Sequence, residues 1–282
     1  MSEPLVAVVV PSAGRRPEGL RRCIRALQDL DWPRERLEIV VVDDGGGARA
    51  EGVRVVRHAS ARGPAAARNT GARHASGDVL AFTDDDCMPE PGWLRALVPA
   101  VRPGVAAGGR TVNALAANRF ADASQHIVDL VYAHYNRRAA RFCASNNLAL
   151  RAEDFAAVGG FDEDRFPFAS EDRDLCDRWR ASGRTLRLVP QAVVHHAHEL
   201  DLRGFVAQHL AYGRGAARYH AARAARGTGR LRDETPFHLD PSLYLRTLRL
   251  RPAGRAARLA ALLSLWQAAN AAGYLLERRQ VP

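Results

Sequence analysis

Short apolar runs alternate with segments of helical spacing through the first hundred residues of the chain. Nearly continuous apolar runs, typical of strands buried on both faces, occupy residues 5–11, 37–42, 53–57 and 78–83. Helical spacing covers residues 16–30, 64–75 and 91–101. Because strands that alternate with helices favour parallel pairing through right-handed crossovers, the pattern predicts an α/β fold with a mostly parallel central sheet flanked by helices.

Polar residues stand where three of these predicted strands end. Ser12 follows the first strand, Asp43 and Asp44 follow the second, and an acidic triplet at 84–86 follows the fourth. In open α/β sheets, ligands bind outside the carboxyl ends of the strands. We therefore expect these side chains to line one crevice.

The second half of the chain is less regular. Helical spacing covers residues 118–138, where the mixed polarity suggests an exposed flap, 171–181, and most of the chain beyond 202. Strand-like runs cover residues 142–150, 186–189 and 192–194. We expect a helical C-terminal tail.

Composition limits the class of protein. The 282 residues are 47% hydrophobic and 26% charged, values that indicate one or two globular domains and exclude a disordered, collagen-like or multi-span membrane protein. The four cysteines lie far apart, so neither a closely spaced zinc motif nor a disulfide scaffold is indicated. The first apolar run has no basic region before it and stops at Pro11, so we predict no signal peptide and a cytoplasmic location.

Charge is distributed unevenly along the chain. The formal net charge is +10, and every basic residue is an arginine. Residues 201–282 hold 14 arginines against five acidic residues, whereas the first 200 residues are almost neutral. The basic tail indicates either contact with an anionic surface, such as a membrane, a nucleic acid or a phosphorylated acceptor, or an ordinary solvated helical face.

The acidic triplet at 84–86 carries the strongest chemical signal. Three adjacent carboxylates at a strand end repel one another, so a structure that gathers them needs a compensating charge. Mg²⁺ and Mn²⁺ prefer oxygen ligands, and Mg²⁺ commonly binds one or two carboxylates together with substrate phosphates. The triplet therefore indicates a divalent cation with a nucleotide diphosphate as co-ligand. A solvated, aspartate-rich turn is the alternative.

Other positions carry chemistry that the same crevice can use. A carboxylate at Asp43 or Asp44 can accept hydrogen bonds from a base or ribose, and Arg68 can reach a phosphate or base. An acid at the start of the 171–181 helix can act as a general base toward a hydroxyl, and a histidine after the 192–194 strand can complete a metal shell. Each of these positions also has a purely structural explanation. Asp43 or Asp44 can be a turn acid and Arg68 a surface arginine. The acid of the 171–181 helix can stabilise the helix start through the dipole, and the histidine can be an ordinary strand-end residue.

Seven segments, taken in order, form one set of motifs. They are VAVVVPSAG, EIVVVDDGG, RGPAAARNTGARHASGDVLAFTDDDCMPEPGWL, ASNNLALR, VGGFDE, SEDRDLCDRWR and VPQAVVHH. Over roughly residues 5–215 the chain resembles the inverting glycosyltransferases of family 2, which have the Rossmann-like GT-A fold. The resemblance implies an enzyme that moves a sugar from a nucleoside-diphosphate sugar, usually a UDP-sugar, to an acceptor hydroxyl by a single inverting displacement.

The resemblance also implies a role for each matching position. Asp172 is implied as the general base, and Asp86 with His196, or His195 as the alternative, holds Mn²⁺ or Mg²⁺. The implied nucleotide-sugar contacts are Pro11, Ser12, Asp44 with Asp43 as alternate, Arg68, Asp84, Asp85 and Asn147. The implied acceptor-side residues are Glu171 and Trp179.

The chain departs from the usual family pattern in two loops. Ala13 stands where the family often has an aromatic residue that helps to hold the base, and Gly14 replaces a common asparagine. The glycines at 45–47 replace the usual Gly-Ser. These departures leave the identity of the nucleotide open.

Two other functions fit parts of the pattern. A sugar-phosphate nucleotidyltransferase also combines a nucleotide-binding α/β sheet with Mg²⁺, but Gly14-Arg15-Arg16 is a short counterpart for its basic signature loop. A nucleic-acid-binding module would use the basic tail, but those arginines lie outside the sheet and lack interleaved aromatic residues. We therefore predict a nucleotide-sugar donor and a hydroxyl acceptor as partners, and no nucleic acid.

The domain organisation follows from the resemblance and the charge shift. We expect a catalytic domain over residues 1–200, with a nucleotide-binding half at 1–112 and an acceptor half at 113–200. A basic helical extension is expected over 201–282.

An apolar helical stripe runs through the C-terminal extension. It consists of Leu259, Leu262, Leu263 and Trp266, with arginines on both sides, Arg251 among them. One hypothesis is an interfacial helix over 251–279 at an anionic membrane, and the other is a helix that packs on its own chain or in a homodimer.

Overall fold

The computed structural model describes residues 3–249 and 252–280, so Arg251 lies outside the described residues. The chain forms two compact units. Unit 1 takes in the described parts of residues 1–114, 139–167 and 171–198, and unit 2 takes in those of 115–138, 168–170 and 199–282. The functional division expected at residues 112 and 200 stays a prediction.

Unit 1 is built on a central β-sheet. Its strands are β1 (Val6–Ser12), β2 (Leu37–Asp43), β3 (Arg54–Arg57), β4 (Val79–Phe82), β5 (Cys87–Pro89), β6 (Val105–Asn113), β7 (Leu148–Arg151) and β8 (Thr185–His196). Within the described residues they form one eight-stranded sheet with the order β3-β2-β1-β4-β7-β6-β8-β5. Pairing is parallel along β3-β2-β1-β4 and between β6 and β8, whereas β4–β7, β6–β7 and β5–β8 pair antiparallel. The predicted α/β class with a mostly parallel sheet is confirmed.

Both units contain α-helices. Unit 1 holds α1 (Pro17–Gln28), α2 (Pro64–His74), α3 (Trp93–Leu97), α5 (Ala152–Ala157) and α6 (Glu171–Ala181). Unit 2 holds α4 (Arg119–Tyr135), α7 (Leu202–Arg226), α8 (Thr235–Leu239), α9 (Pro241–Arg249) and α10 (Ala253–Arg278). The predicted helical C-terminal tail is confirmed, and α6 has the predicted bounds.

Some sequence-based bounds were wrong. The two predicted strands at 186–189 and 192–194 are one strand, β8, which stays paired with β6 through a register shift between Gly108 and Arg110. The predicted strand over 142–150 begins only at Leu148, because residues 145–147 form a turn of 3₁₀ helix. β5 and β6 escaped prediction because one has three residues and the other is rich in glycine and alanine.

β1 explains why the sheet is stable. Its five residues from Val6 to Val10 are fully buried, so both faces of the strand contribute to the core. Val8 packs with Leu20 and Leu97 on one face, and Val9 packs with other apolar side chains on the opposite face. Full burial of one such side chain contributes roughly 1.5–3 kcal/mol, which anchors the strand that ends at the site described below.

Small residues let α2 lie very close to the sheet. Pro64 occupies the first turn, directly after Gly63, which has a φ of +93°. Ala67 and Gly71 are buried on the face of α2 that packs against the sheet. A Cβ atom on Gly71 would lie 2.3 Å from Cγ1 of Val9. This close packing places Arg68, on the same helix, in the interior of unit 1.

Unit 2 is a helical assembly with a tight crossing of α7 and α10. A Cβ atom on Gly213 would lie 2.0 Å from the carbonyl oxygen of Asn270, and one on Gly273 would lie 2.0 Å from that of Leu210. Glu277, which is 1% exposed, accepts hydrogen bonds from Arg214 and Arg218. These contacts hold α10 against α7 within the unit.

The apolar stripe of α10 belongs to the core of unit 2. Leu259, Leu263 and Trp266 are 3–5% exposed and share a cluster with Ile127 and Leu130 of α4. α4 is therefore a packed helix, and the expectation of an exposed flap over 118–138 was wrong. By length and composition alone, α10 is also long and apolar enough to cross a membrane, a test that a core helix passes as well.

Candidate functional site

The acidic triplet lies in the turn between β4 and β5, at the carboxyl end of the parallel strands. Asp85 is 8% exposed, and its Oδ2 accepts a hydrogen bond of 2.7 Å from the hydroxyl of Ser12, at the end of β1. Burial, with the charges of Asp86 and Asp84, raises the pKa of Asp85 to about 6, against the opposing effects of the Ser12 hydroxyl and Arg16. The two strand ends predicted to share a crevice are thus in direct contact.

Asp86 has a different partner on each carboxylate oxygen. Oδ2 accepts a hydrogen bond of 2.7 Å from Nη1 of Arg16, and Oδ1 lies 3.2 Å from Nε2 of His196 at the end of β8. Although burial opposes ionisation, the hydrogen bond with His196 and the charges of His196 and Arg16 hold the pKa of Asp86 well below its ordinary value. The same hydrogen bond raises the pKa of His196 in spite of its burial.

The pairing register decides between the two candidate histidines. His196 is the Cα partner of Cys87, whereas His195 is the partner of Met88, so their side chains point to opposite faces of the sheet. His195 is about half exposed, with its Nε2 2.9 Å from Glu90. Of these two candidates, His196 is therefore the one that lies beside the triplet.

Arg68 joins the triplet to the acidic start of α6. Its guanidinium is buried and donates a 2.6 Å hydrogen bond to Oδ1 of Asp84 and a 2.8 Å hydrogen bond to Oε1 of Glu171. It also lies over the ring of Phe161, 5.6 Å from the centroid. Carboxylates from segments more than 80 residues apart in sequence are thereby held around one cation.

Asp172 follows Glu171 in the first turn of α6. Burial raises the pKa of Asp172 to about 7, the charge of Glu171 raises it as well, and the charge of Arg68 opposes this shift. Oδ1 of Asp172 accepts a hydrogen bond of 2.7 Å from the backbone N–H of Arg173. A carboxyl group that titrates near neutral pH has the property required of a general base.

Asp44 is held by three donors beyond the end of β2. Its Oδ1 accepts from the backbone N–H of Arg62 at 2.8 Å and lies 2.7 Å from Nδ1 of His58, and its Oδ2 accepts from the N–H of Gly63 at 2.9 Å. These hydrogen bonds lower the pKa of Asp44 against the effect of burial. The backbone N–H of Asp44 donates to the carbonyl of Ser12 at 2.8 Å, which connects it to the triplet.

His58 is a site residue that sequence reasoning missed. It directly follows β3, and its Nε2 lies 2.9 Å from the hydroxyl of Thr70 while Nδ1 contacts Asp44. The available signal was the same strand-end rule that identified Asp43 and Asp44, applied to the third strand. Asp43 itself is buried, and its Oδ1 accepts a hydrogen bond of 3.0 Å from the backbone N–H of Gly46.

The comparisons with known proteins now identify the family. The model of glycosyl transferase family 2 matches residues 7–159, more than half of the chain. The chain belongs to this family. A second model, for the N-terminal domain of galactosyltransferase, matches residues 125–199.

A curated relative supports the family at the level of sequence. The pre-mycofactocin glycosyltransferase of Mycobacterium tuberculosis is 31% identical over 229 residues, which cover 75% of this chain and 47% of the relative. The match thus spans about half the length of this relative.

Solved structures support the fold. A mannosyltransferase from Pyrobaculum calidifontis, in complex with GDP-Man and Mn²⁺, aligns with a TM-score of 0.62 at 22% identity and covers 99% of this chain and 80% of that one. GalNAc-T7 with UDP, GalNAc and Mn²⁺ aligns with a TM-score of 0.54 at 17% identity, over 84% of this chain and 54% of that one. The predicted resemblance to family 2 and the GT-A fold is confirmed.

The two loops that depart from the family pattern pack against each other. A Cβ atom on Gly46 would lie 1.7 Å from the carbonyl oxygen of Ala13, and one on Gly14 would lie 2.3 Å from the carbonyl oxygen of Gly46. Each loop therefore requires glycine in the other. Pro11 precedes this contact as a half-buried residue of β1.

Two implied site residues, Asn147 and Trp179, make hydrogen bonds in the interior of unit 1. Asn147 is fully buried, where its Oδ1 accepts from Nε1 of Trp93 at 2.8 Å and its Nδ2 donates to the carbonyl oxygens of Ala192 and Arg110. Trp179 is 1% exposed within the core, and its Nε1 donates to a backbone carbonyl. Both side chains are thus held by contacts inside unit 1, and their implied roles on the donor-sugar and acceptor side stay predictions.

Proposed function

We propose that this family 2 protein is an inverting, metal-dependent glycosyltransferase that moves a sugar from a nucleoside-diphosphate sugar to an acceptor hydroxyl. The observation that carries the proposal is the buried bridge of Arg68 between Asp84 and Glu171. One guanidinium thereby holds Asp84 of the acidic triplet and Glu171, which directly precedes the proposed base, Asp172. Further support comes from the two structural neighbours, which hold GDP-Man or UDP together with Mn²⁺.

The proposed general base is Asp172. Its carboxylate accepts the proton of the acceptor hydroxyl while the oxygen attacks the anomeric carbon. The bond from that carbon to the diphosphate oxygen breaks in the same displacement, and the nucleoside diphosphate leaves with the electron pair. One displacement inverts the configuration. The raised pKa of Asp172 supports this role, since a base of higher pKa takes the proton more readily.

Asp86 and His196 are the proposed metal ligands, with the donor-binding residues around them. A carboxylate oxygen and an imidazole nitrogen 3.2 Å apart, beside two further acids, form a donor set that suits a divalent cation. When bound, Mn²⁺ or Mg²⁺ supplies neutralisation of the charge on the diphosphate. The proposed nucleotide-sugar contacts are Pro11, Ser12, Asp43, Asp44, Arg68, Asp84 and Asp85, and Glu171 is proposed on the acceptor side.

The decisive experiment identifies the products. The full chain is incubated with Mn²⁺, a panel of UDP- and GDP-sugars and simple saccharides as acceptors, and separately with UTP or GTP and sugar 1-phosphates, and nucleoside diphosphate and pyrophosphate are quantified. In the first incubation we expect nucleoside diphosphate and, by NMR, a glycoside of inverted configuration. Pyrophosphate release in the second incubation, with no nucleoside diphosphate in the first, would overturn the proposal in favour of a nucleotidyltransferase.

A variant pair tests the base directly. Asp172→Asn is expected to bind the donor normally and to lose roughly 10²–10⁴-fold in turnover, the usual range for a general base. The exposed Asp164→Asn is the matched control and is expected to keep full turnover. Normal turnover of Asp172→Asn would remove this residue from the mechanism.

The membrane and homodimer hypotheses concern α10 rather than the candidate site. The burial of Leu259, Leu263 and Trp266 inside unit 2 removes the side chains that an interfacial helix would insert, so we favour the packing role of α10 over membrane contact. Absence of binding to anionic vesicles at low salt is the expected result of a flotation assay. The cytoplasmic location, the homodimer and uridine as the base stay predictions.

A further inference from the structure

The thiol of Cys87 lies beside the proposed metal ligands. Cys87 on β5 and His196 on β8 are Cα partners in an antiparallel pair, so their side chains emerge on the same face of the sheet. Asp86 directly precedes Cys87. The three donor atoms, a carboxylate oxygen, the sulfur and an imidazole nitrogen, all lie within 4.8 Å of one another.

The distances among these atoms suit a single ion. Oδ1 of Asp86 lies 3.2 Å from Nε2 of His196 and 3.9 Å from Sγ of Cys87. A tetrahedral Zn²⁺ with bonds of about 2.0–2.3 Å holds such donors about 3.4–3.6 Å apart. The sulfur and the imidazole nitrogen lie at most 4.8 Å apart, so side-chain movements of up to about 1 Å bring all three donors into one coordination sphere.

We propose that Cys87 is the third protein donor of this site and that it makes the site select thiophilic divalent cations, of the class of Zn²⁺ and Cd²⁺, over Mg²⁺. Thiolate ligands favour soft cations, whereas Mg²⁺ prefers oxygen. On ligation the thiol proton passes to solvent and a sulfur–metal bond forms. Three protein donors leave a fourth position, which a diphosphate oxygen can take.

The proposal rests on the proposed function only in sharing Asp86 and His196 with it. Metal binding is measured without any nucleotide sugar, so the two can fail independently. If the chain forms the cadmium site but has no transferase activity, the proposed function alone is wrong. If it has transferase activity but forms no cadmium–thiolate site, the role of Cys87 alone is wrong.

Cys23 provides a matched control within the same unit. It is also fully buried and also near the triplet, with its Sγ donating to the backbone carbonyl of Asp84 at 3.4 Å. It lies outside the three-donor group. A general effect of removing a buried thiol is therefore expected in both cysteine variants, and a loss of metal ligation only in Cys87→Ser.

The experiment titrates the metal-free full chain with Cd²⁺. We expect one equivalent to produce a thiolate-to-cadmium charge-transfer band in the ultraviolet. Cys87→Ser is expected to lose the band and to weaken Cd²⁺ binding at least about tenfold, while its Mg²⁺ affinity changes less than about threefold. Cys23→Ser is expected to keep both the band and the affinity. Circular dichroism and the thermal midpoint establish that the variants are folded.

Two results would overturn the proposal: a band that persists in Cys87→Ser, and Cd²⁺ binding by the original chain without a band. If Cys87→Ser does not fold, Co²⁺ bound to the original chain decides instead. An intense tetrahedral visible spectrum with a sulfur-to-cobalt transition supports the thiol ligand. A weak octahedral spectrum contradicts it.

Discussion

Nη2 of Arg68 donates a hydrogen bond of 2.6 Å to Oδ1 of Asp84, although one residue belongs to α2 and the other to the turn after β4. The side chain of Arg68 is 4% exposed and that of Asp84 is 30% exposed, so water reaches the acid more than the arginine. The charges of Asp84 and Glu171 raise the pKa of Arg68 despite its burial, which keeps the guanidinium charged. A single interior cation thus stabilises acids from two segments.

Removal of this cation is expected to destabilise the fold. Arg68→Met leaves two carboxylates without their partner, and breaking a buried ion pair costs about 3–5 kcal/mol of unfolding free energy. Urea denaturation measures the loss. Arg73→Met on the same helix is the control, because that side chain is 55% exposed and the expected change is below about 1 kcal/mol. An Arg68→Met variant as stable as the original chain would contradict the structural role of the bridge.

The pH dependence of transfer is expected to follow the ionisation of Asp172. Because the pKa of Asp172 is raised to about 7 and only the carboxylate form accepts a proton, kcat/KM should rise as the pH increases through about 7 and then level off. Glu171→Gln removes a charge that raises this pKa, so the rising limb should move to lower pH. Rates measured at fixed ionic strength provide the test. A limb that stays in place in Glu171→Gln, or a flat profile between about pH 5 and 8, would contradict the assignment.

The strand-end rule accounts for most of what the sequence predicts correctly. Apolar runs locate β1, β2 and β4, and the acids after β2 and β4 therefore fall at the same edge of the sheet. Periodicity cannot reveal β5, which has three residues and is held in the sheet by pairing with β8 more than 100 residues later. Long-range pairing of this kind leaves no local signal.

Motif matching alone does not distinguish a ligand contact from a core contact. Asn147 and Trp179 fall within matching segments, yet both side chains satisfy their hydrogen bonds inside unit 1. Arg16 and His58 show the reverse case, since both contact site acids and neither was assigned a role from the sequence. An arginine beside a helix start and a histidine after a short strand become informative only when their partners are known.

His58 is expected to act as a positioning residue for Asp44. Loss of one hydrogen bond to a charged group costs about 1.5 kcal/mol, so His58→Ala should raise the KM for the nucleotide sugar about tenfold with little change in kcat. His58→Asn keeps a donor near Asp44 and should restore part of the affinity. The exposed His74→Ala on α2 is the control. A fall in kcat at unchanged KM would contradict a positioning role.

Arg16 is expected to compete with a divalent cation for Asp86. Its Nη1 lies 2.7 Å from Oδ2 of Asp86 and 3.8 Å from Oδ1 of Asp85, while 43% of the side chain remains exposed. Arg16→Gln should therefore strengthen Mn²⁺ binding to the donor-free chain about tenfold, as measured by the loss of the free Mn²⁺ signal in electron paramagnetic resonance. Arg15→Gln removes the same charge one residue away, at an exposed position, and should have a much smaller effect. Equal effects of the two substitutions would assign the gain to net charge, whereas a selective effect of Arg16→Gln would support local competition between its guanidinium and the cation at Asp86.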